Sequence, residues 1–439
     1  MYIQTNNTSA SPIWSLPRPF PVQKLNENVS CKTVIVGGGM AGLAIAYELT
    51  QKGHSVILAE AHEIGTGSTG WCGGILSTDT TVDFTEVEAS FGLEPACHIA
   101  SSLERIIAKY RKKFGNKCLW QNGSTLFLGN KKGDEAKLRQ EGEVRNRYGL
   151  SGHSKKASTI VKHWDSRYHA LELQNENAVH PVQLSYAIAQ EILAGGGTIH
   201  EHTKVKDWSH DGQQFLIDCG DCTIRSDNLI LCTGINGTNS PRLKAFRRLL
   251  LPVTGHVLVT EPSVQVQELM SSTNVVALWD SLILYHYVRY LPDGRILIGG
   301  EDLPESTRPT VLDTSDKHIQ DLYAWAQRIH NFPLPAIQSC WRASMVIPFD
   351  GMPVLAQEQI GAGSLLEVVT DGLPGSLLLA DTVADILSGR ESRIASILSP
   401  MRKTNLTAKM FSLFPPNTLI RKLACKMAFT AFRLKDALL

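Results

Sequence analysis

Thr33-Val34-Ile35-Val36-Gly37-Gly38-Gly39-Met40-Ala41-Gly42-Leu43-Ala44-Ile45-Ala46-Tyr47 is the stretch from which the rest of the chain is read. Its first four residues are a short β-branched run, suited to a strand buried on both faces. Gly37, Gly39 and Gly42 then give G-x-G-x-x-G, a spacing that lets the backbone turn tightly and approach a pyrophosphate at a helix N-terminus. From Met40 to Lys52 small and apolar residues predict a helix that Gly53 ends. Val56-Ile57-Leu58-Ala59 predicts a second buried strand, which delivers Glu60 where a carboxylate accepts hydrogen bonds from ribose hydroxyls. Strand, loop, helix, strand and acid together make a βαβ unit for a dinucleotide, without choosing which one.

Around this unit the composition bounds the rest. The chain has 439 residues, 43% apolar and 19% charged, enough for a sizeable core and more than one core usually takes, so two domains or one domain with large insertions are expected. A net charge of +1 gives no argument for nucleic acid. The balance hides a basic tail: residues 401–439 hold eight Lys or Arg against Asp436. Nine cysteines without framework spacing fit reduced thiols and a cytoplasmic setting. The first twenty residues lack the pattern of a secretory signal, and no apolar run is long enough to span a bilayer.

Further along, residues 1–30 read as an extended arm broken by Pro12, Pro17, Pro19 and Pro21. His180-Pro181 opens a helix through Leu193, and a strand is expected to end near Val205. Phe215–Ile217 and Cys222–Ile224 read as a hairpin around Gly220-Asp221. Asn228–Thr233 is another buried strand running into Gly234. The alternation predicts a discontinuous two-domain protein: 31–112, 178–240 and 345–400 in one domain, 113–177 and 241–344 in the other, and 401–439 as a tail.

With these landmarks in order, residues 34–76, including Gly65-Thr66-Gly67-Ser68-Thr69-Gly70-Trp71-Cys72-Gly73-Gly74, resemble the D-amino-acid-oxidase-like FAD-dependent oxidoreductase superfamily. The pattern is most like its gamma-glutamylputrescine oxidoreductase and glycine oxidase amine oxidases. Thr203-Lys204-Val205, Cys232-Thr233-Gly234, Leu251–His256, Tyr287-Val288-Arg289, Gly299-Gly300-Glu301-Asp302, Asp350–Pro353 and Gly372-Leu373-Pro374-Gly375 resemble its later signatures, over roughly residues 30–390. The resemblance implies an α/β fold: a Rossmann-like FAD-binding domain beside a mixed-sheet α+β substrate domain. It implies FAD held by Gly37, Gly38, Gly39, Met40, Ala41, Gly42, Glu60, Ala61, Ser68, Thr69, Cys72, Gly73, Val205, Thr233, Gly234, Gly372, Leu373, Pro374 and Gly375. Tyr287, Arg289 and His256, the last where the family commonly has Gln, are the expected catalytic residues.

The departures narrow the expectation. The arginine that grips a substrate carboxylate in glycine and D-amino-acid oxidases corresponds to Met345, leaving Arg342 or Arg289 as substitutes. The positions that link flavin covalently in other relatives hold Ala343 and Trp71, so non-covalent FAD is expected, with Cys72 the nearest thiol. Ala356 and Leu377 replace family glycines and are expected to add bulk near the flavin. Cys219-Gly220-Asp221-Cys222 falls on a hairpin turn rather than a helix start, and no metal-ligand spacing is present.

The chemistry so implied is oxidation of a C–N bond in an amine or amino acid by hydride transfer to flavin N5, with oxygen or quinone as acceptor. Two other readings stay open: oxidation of a hydroxy acid or polyol, and modification of a partner or carrier protein. Leu419, Leu423, Met427, Ala431, Leu434 and Leu438 recur at helical spacing among Arg421, Lys422, Lys426, Arg433 and Lys435. They predict a basic amphipathic helix over 416–439 that either packs on the enzyme or lies on an anionic membrane surface.

Overall fold

A computed structural model describes residues 13–79, 82–129, 133–157, 168–234, 250–304, 307–402 and 419–438. Two sheets organise them. The first has the order Val354–Ile360, Gly363–Val369, Thr223–Leu231, Val29–Val36, Val56–Ala59, Thr198–His200. All but the first of these run parallel, and Phe215–Asp218 forms the expected hairpin with Thr223 onward. Val34 and Ile35 are wholly buried, as a parallel strand covered on both faces requires. Register aligns the strand ends. Val36 lies level with Leu231 on one side and Ala59 on the other, so Gly37, Cys232 and Glu60 leave the sheet side by side at its carboxyl edge, where open α/β sheets bind ligands.

The helix Met40–Gln51 packs against Pro181–Ala194 and Gly372–Leu387. His180 caps the second of these, its Nδ1 accepting from the Gln183 amide at 3.2 Å. The first and third begin at the carboxyl edge, so two helix N-termini face the same space.

The second sheet is mixed, ordered Thr310–Val311, Ile337–Pro348, Leu250–Thr260, Ile296–Leu303, Tyr287–Tyr290, Val275–Asp280, Trp120–Gly129, His169–Val179, Ile75–Leu76. Alternation gives it two faces. Val257, Val259, Trp341 and Ala343 turn toward Met40, Leu43 and Trp71. Leu258 and Cys340 pack under the helix Lys317–Ile329 with Ile319, Leu322 and Trp325.

Two expectations change. The strand after Pro181–Ala194 stops at His200, and Val205 sits in an extended connection. Thr203, tied to the Leu25 amide and the Glu201 carbonyl, takes the chain out of the sheet. From Ile13 onward the arm is docked: Trp14 is 2% exposed, Leu25 is buried, and Arg18 pairs with the buried Glu201. Ala356 and Leu377 turn into the core, away from the cavity between the sheets, and add no bulk there. The first twelve residues and the tail over 403–418 lie outside the described residues.

Candidate functional site

A cavity of about 1430 Å³ lies between the carboxyl edge of the first sheet and the inner face of the second. This exceeds the usual range for one drug-sized ligand, as a dinucleotide with a second molecule requires. Of the expected FAD residues, all but Gly38 and Gly42 border it.

The glycines serve different ends. Gly37 has φ +112°, a left-handed conformation, and a Cβ there would collide with the Cys232 carbonyl. A Cβ on Gly42 would collide with the Gly37 carbonyl. Both are demanded by the protein's own packing. At Gly39, with φ −75°, a Cβ would meet nothing closer than Thr69 Oγ1 at 3.5 Å. Its side opens on the cavity, and it caps a helix whose first-turn amides have no acceptor within the helix.

Glu60 receives the Gly38 amide at 2.6 Å and the His62 amide at 2.7 Å, one on each carboxylate oxygen. Each oxygen keeps capacity to accept from a ribose hydroxyl. Burial pushes its pKa up, against the pull of those two amides. Opposite, the turn Ser68–Trp71 is fastened to the helix and to the second sheet. Thr69 Oγ1 accepts from the Met40 amide at 3.0 Å, Ser68 Oγ donates to the Ser344 carbonyl at 3.0 Å, and Trp341 Nε1 donates to the Trp71 carbonyl at 3.1 Å. A Cβ on Gly73 would stand 2.6 Å from the Tyr287 ring, so that ring lies flush on the segment. Cys72 donates to the Thr69 carbonyl, and burial raises its thiol to about 11. A thiol so protonated is a poor nucleophile. Gly372-Leu373-Pro374-Gly375 brings the second helix start to the same cavity.

At the other end stand Tyr285, Tyr287, Trp279, Asp302 and Asp371, with Leu251, Val253, Met345, Ile347 and Phe349 as an apolar wall. Asp302 is pushed up to about 7, by burial first and then by Asp371. Among the described lining residues the only Lys or Arg are Lys204 and Lys206, both flanking Val205. Arg342 alternates away from the inner face, between Trp341 and Ala343.

Two expected catalytic residues are otherwise engaged. Arg289 is fully buried and absent from the cavity wall. Its guanidinium donates to the Gly73 and Val179 carbonyls at 2.8 and 2.6 Å and to Gln121 Oε1 at 3.0 Å, under the Trp14 ring. It therefore braces the Cys72–Gly74 segment from behind. His256 stands in the wall, but its ring stacks on His318 at 4.5 Å and its Nδ1 engages the Glu301 carbonyl at 2.9 Å. Burial lowers its pKa. Tyr287 alone of the three presents its ring to the cavity.

The sequence reading missed Trp14, whose Nε1 donates to the Cys72 carbonyl at 2.7 Å; a lone tryptophan in a Pro-rich arm carries no signal for this. It also passed over Asp302 as a side chain, although the Gly-Gly-Glu-Asp run had marked the position. The tail helix, Leu419–Leu438, falls within the helix expected over 416–439. Its buried side is Cys425 and Phe429, whereas Leu423, Met427 and Leu434 are 52%, 72% and 57% exposed. The helix is apolar on two stripes, and the shorter one packs.

These features meet what comparison finds: the family described as FAD dependent oxidoreductase, of the DAO type, matches residues 32–384. The chain belongs to that family. This FAD-dependent oxidoreductase is 28% identical to gamma-glutamylputrescine oxidoreductase of Escherichia coli over 47% of this chain and 50% of the relative, so the match spans half of that protein. It is 23% identical to the probable oxidoreductase OrdL of Rhizobium meliloti over 92% of this chain and 91% of the relative. Among solved structures, glycine oxidase from Geobacillus kaustophilus superposes with a TM-score of 0.71 at 18% identity, covering 86% of this chain and 100% of that one. The two helix starts, the open side of Gly39 and the acid at Glu60 fit FAD.

Proposed function

We propose that this enzyme oxidises a C–N bond of an amine that lacks an α-carboxylate. One observation carries the reading: the substrate end of the cavity sets Asp302 and Asp371 beside Tyr285, Tyr287 and Trp279, with no Lys or Arg among its described residues. Met345 stands where relatives that bind a carboxylate are expected to hold arginine. Carboxylates and aromatic faces attract an ammonium, whereas a substrate carboxylate would meet like charge. The relative named gamma-glutamylputrescine oxidoreductase supports an amine substrate.

The glycine loop, Glu60 and the two helix starts would hold FAD non-covalently, and FAD so bound would supply a two-electron acceptor for hydride. The chain's own residues do the rest. An ammonium must lose a proton before its α-carbon yields hydride, and Asp302, near pH 7, is basic enough to accept it. Tyr287, packed flush on Gly73, fixes the depth to which the substrate enters. The fastened Ser68–Gly74 segment and the apolar wall exclude water.

Anaerobic flavin bleaching tests the reading against panels of amines, α-amino acids and hydroxy acids. Amines are expected to bleach, and Asp302→Asn to raise their KM. Bleaching by hydroxy acids or α-amino acids alone refutes it. We also propose that the outer stripe of the tail helix, Leu423, Met427 and Leu434 near Lys426, contacts an anionic membrane surface. Salt-sensitive pelleting with anionic vesicles supports this, and no pelleting at low salt overturns it.

A further inference from the structure

The helix Leu419–Leu438 lies beyond the residues 32–384 that the family accounts for, yet it forms part of the cavity. Cys425 and Phe429, one turn apart, are buried against Leu251 and Val253 with Met345 beside them. Cys425, Ala428 and Phe429 reach the cavity wall on the side that carries Asp302. One turn further, Arg433 donates to Glu301 Oε2 and to the Asp302 carbonyl, each at 3.3 Å. Glu301 is also held by His286 at Oε1 and by His318 at Oε2, both at 3.4 Å. The helix is thus pinned twice, by an apolar contact and by an ionic one, over the strand end that presents Asp302.

We propose that Phe429 is a specificity-determining residue: its ring, positioned by the Arg433–Glu301 pair, is the outer wall of the substrate chamber and sets the size of group the substrate carries. The wall is apolar where the acids are not, so the favoured amine bears an apolar substituent pointing at Phe429 and Met345. Removing an aromatic ring from such a wall leaves space that bulkier substituents fill, and pocket size discriminates by tenfold or more per added group. Arg433 is a positioning residue, because it touches Glu301 and the Asp302 backbone and not the chamber itself. Naming the substrate as an amine rests on the proposed function; the wall does not.

The test uses the holoenzyme with a series of primary amines of increasing alkyl and aryl bulk. Phe429→Ala is expected to raise the ratio of kcat/KM for bulky over small amines about tenfold or more, through KM. Phe429→Trp is expected to move it the other way. Iodide quenching of flavin fluorescence reads access to the cavity without turnover, and its constant should rise at least about twofold in Phe429→Ala and in Arg433→Gln. An unchanged selectivity ratio in both Phe429 variants, or unchanged iodide access in Phe429→Ala, overturns the wall. Absence of any amine oxidation by the wild type would sink the proposed function instead, and iodide access then decides the wall alone.

Discussion

Replacing Gly39 by alanine separates what the fold needs from what the cofactor needs. The backbone there, at φ −75° and ψ −178°, suits any residue, and the added Cβ meets only Thr69 Oγ1 at 3.5 Å. The apoprotein should therefore stay within about 1 kcal/mol of wild type, on the stable side if anything, because alanine restricts the unfolded chain. The methyl group points into the space assigned to the pyrophosphate. Overpacking of this kind costs about 1–3 kcal/mol, which is roughly 5- to 150-fold in Kd. Urea unfolding of the apoprotein and titration with FAD, followed by quenching of flavin fluorescence, measure the two quantities independently. Gly42→Ala is the contrasting control, since its Cβ meets the Gly37 carbonyl and should unfold the loop. Wild-type FAD affinity in Gly39→Ala, or a loss of stability matching that of Gly42→Ala, would refute the reasoning.

Asp302→Asn should stabilise the protein at pH 8. Asp302 is raised to about 7 in the fold, so its native form is favoured when protonated and wild-type stability falls as pH rises through that value. The variant's advantage, on the order of 1–3 kcal/mol, should vanish by about pH 4 in thermal melts. His286 shows the same direction over a higher interval: burial lowers it, but Asp280 and Glu301 outweigh burial and hold it at about 9. Its contribution is fully present below about pH 6.5 and lost as pH rises through 9, so the melting deficit of His286→Gln should shrink over that interval. Arg289→Lys should cost about 3 kcal/mol by urea unfolding, since one ammonium cannot span two carbonyls and Gln121. Intact stability with a raised substrate KM would return Arg289 to the substrate.

The glycine loop, its flanking strands and Glu60 were legible because each serves a local rule: β-branched run, tight turn, close helix approach, acid at a strand end. The closing turn at Gly372 was legible only through the family resemblance. Arg289 and His256 were not, because their roles depend on which face of a strand they take and on what packs behind it. Arg289 shares a face with Tyr287 but lies one pair deeper, against Gly73 and Val179 carbonyls that only the tertiary fold brings there. The tail helix was legible as a helix, but which of its sides packs was not. Two apolar stripes on one helix give periodicity no means of choosing, and Cys425 with Phe429 fits the hollow left by Leu251 and Val253.

The docked arm has a cost in time. Trp14 finds its seat only when Cys72, His180 and Arg289 are all in place, and Arg289 is made 275 residues later. At about 5–20 residues per second, the ring waits roughly 15–55 s on the ribosome before Arg289 exists. Phe20 and Leu25 wait with it for Tyr186 and Thr203. Throughout that interval these early apolar groups stay uncovered, so the arm is where a holding chaperone would find this chain during synthesis.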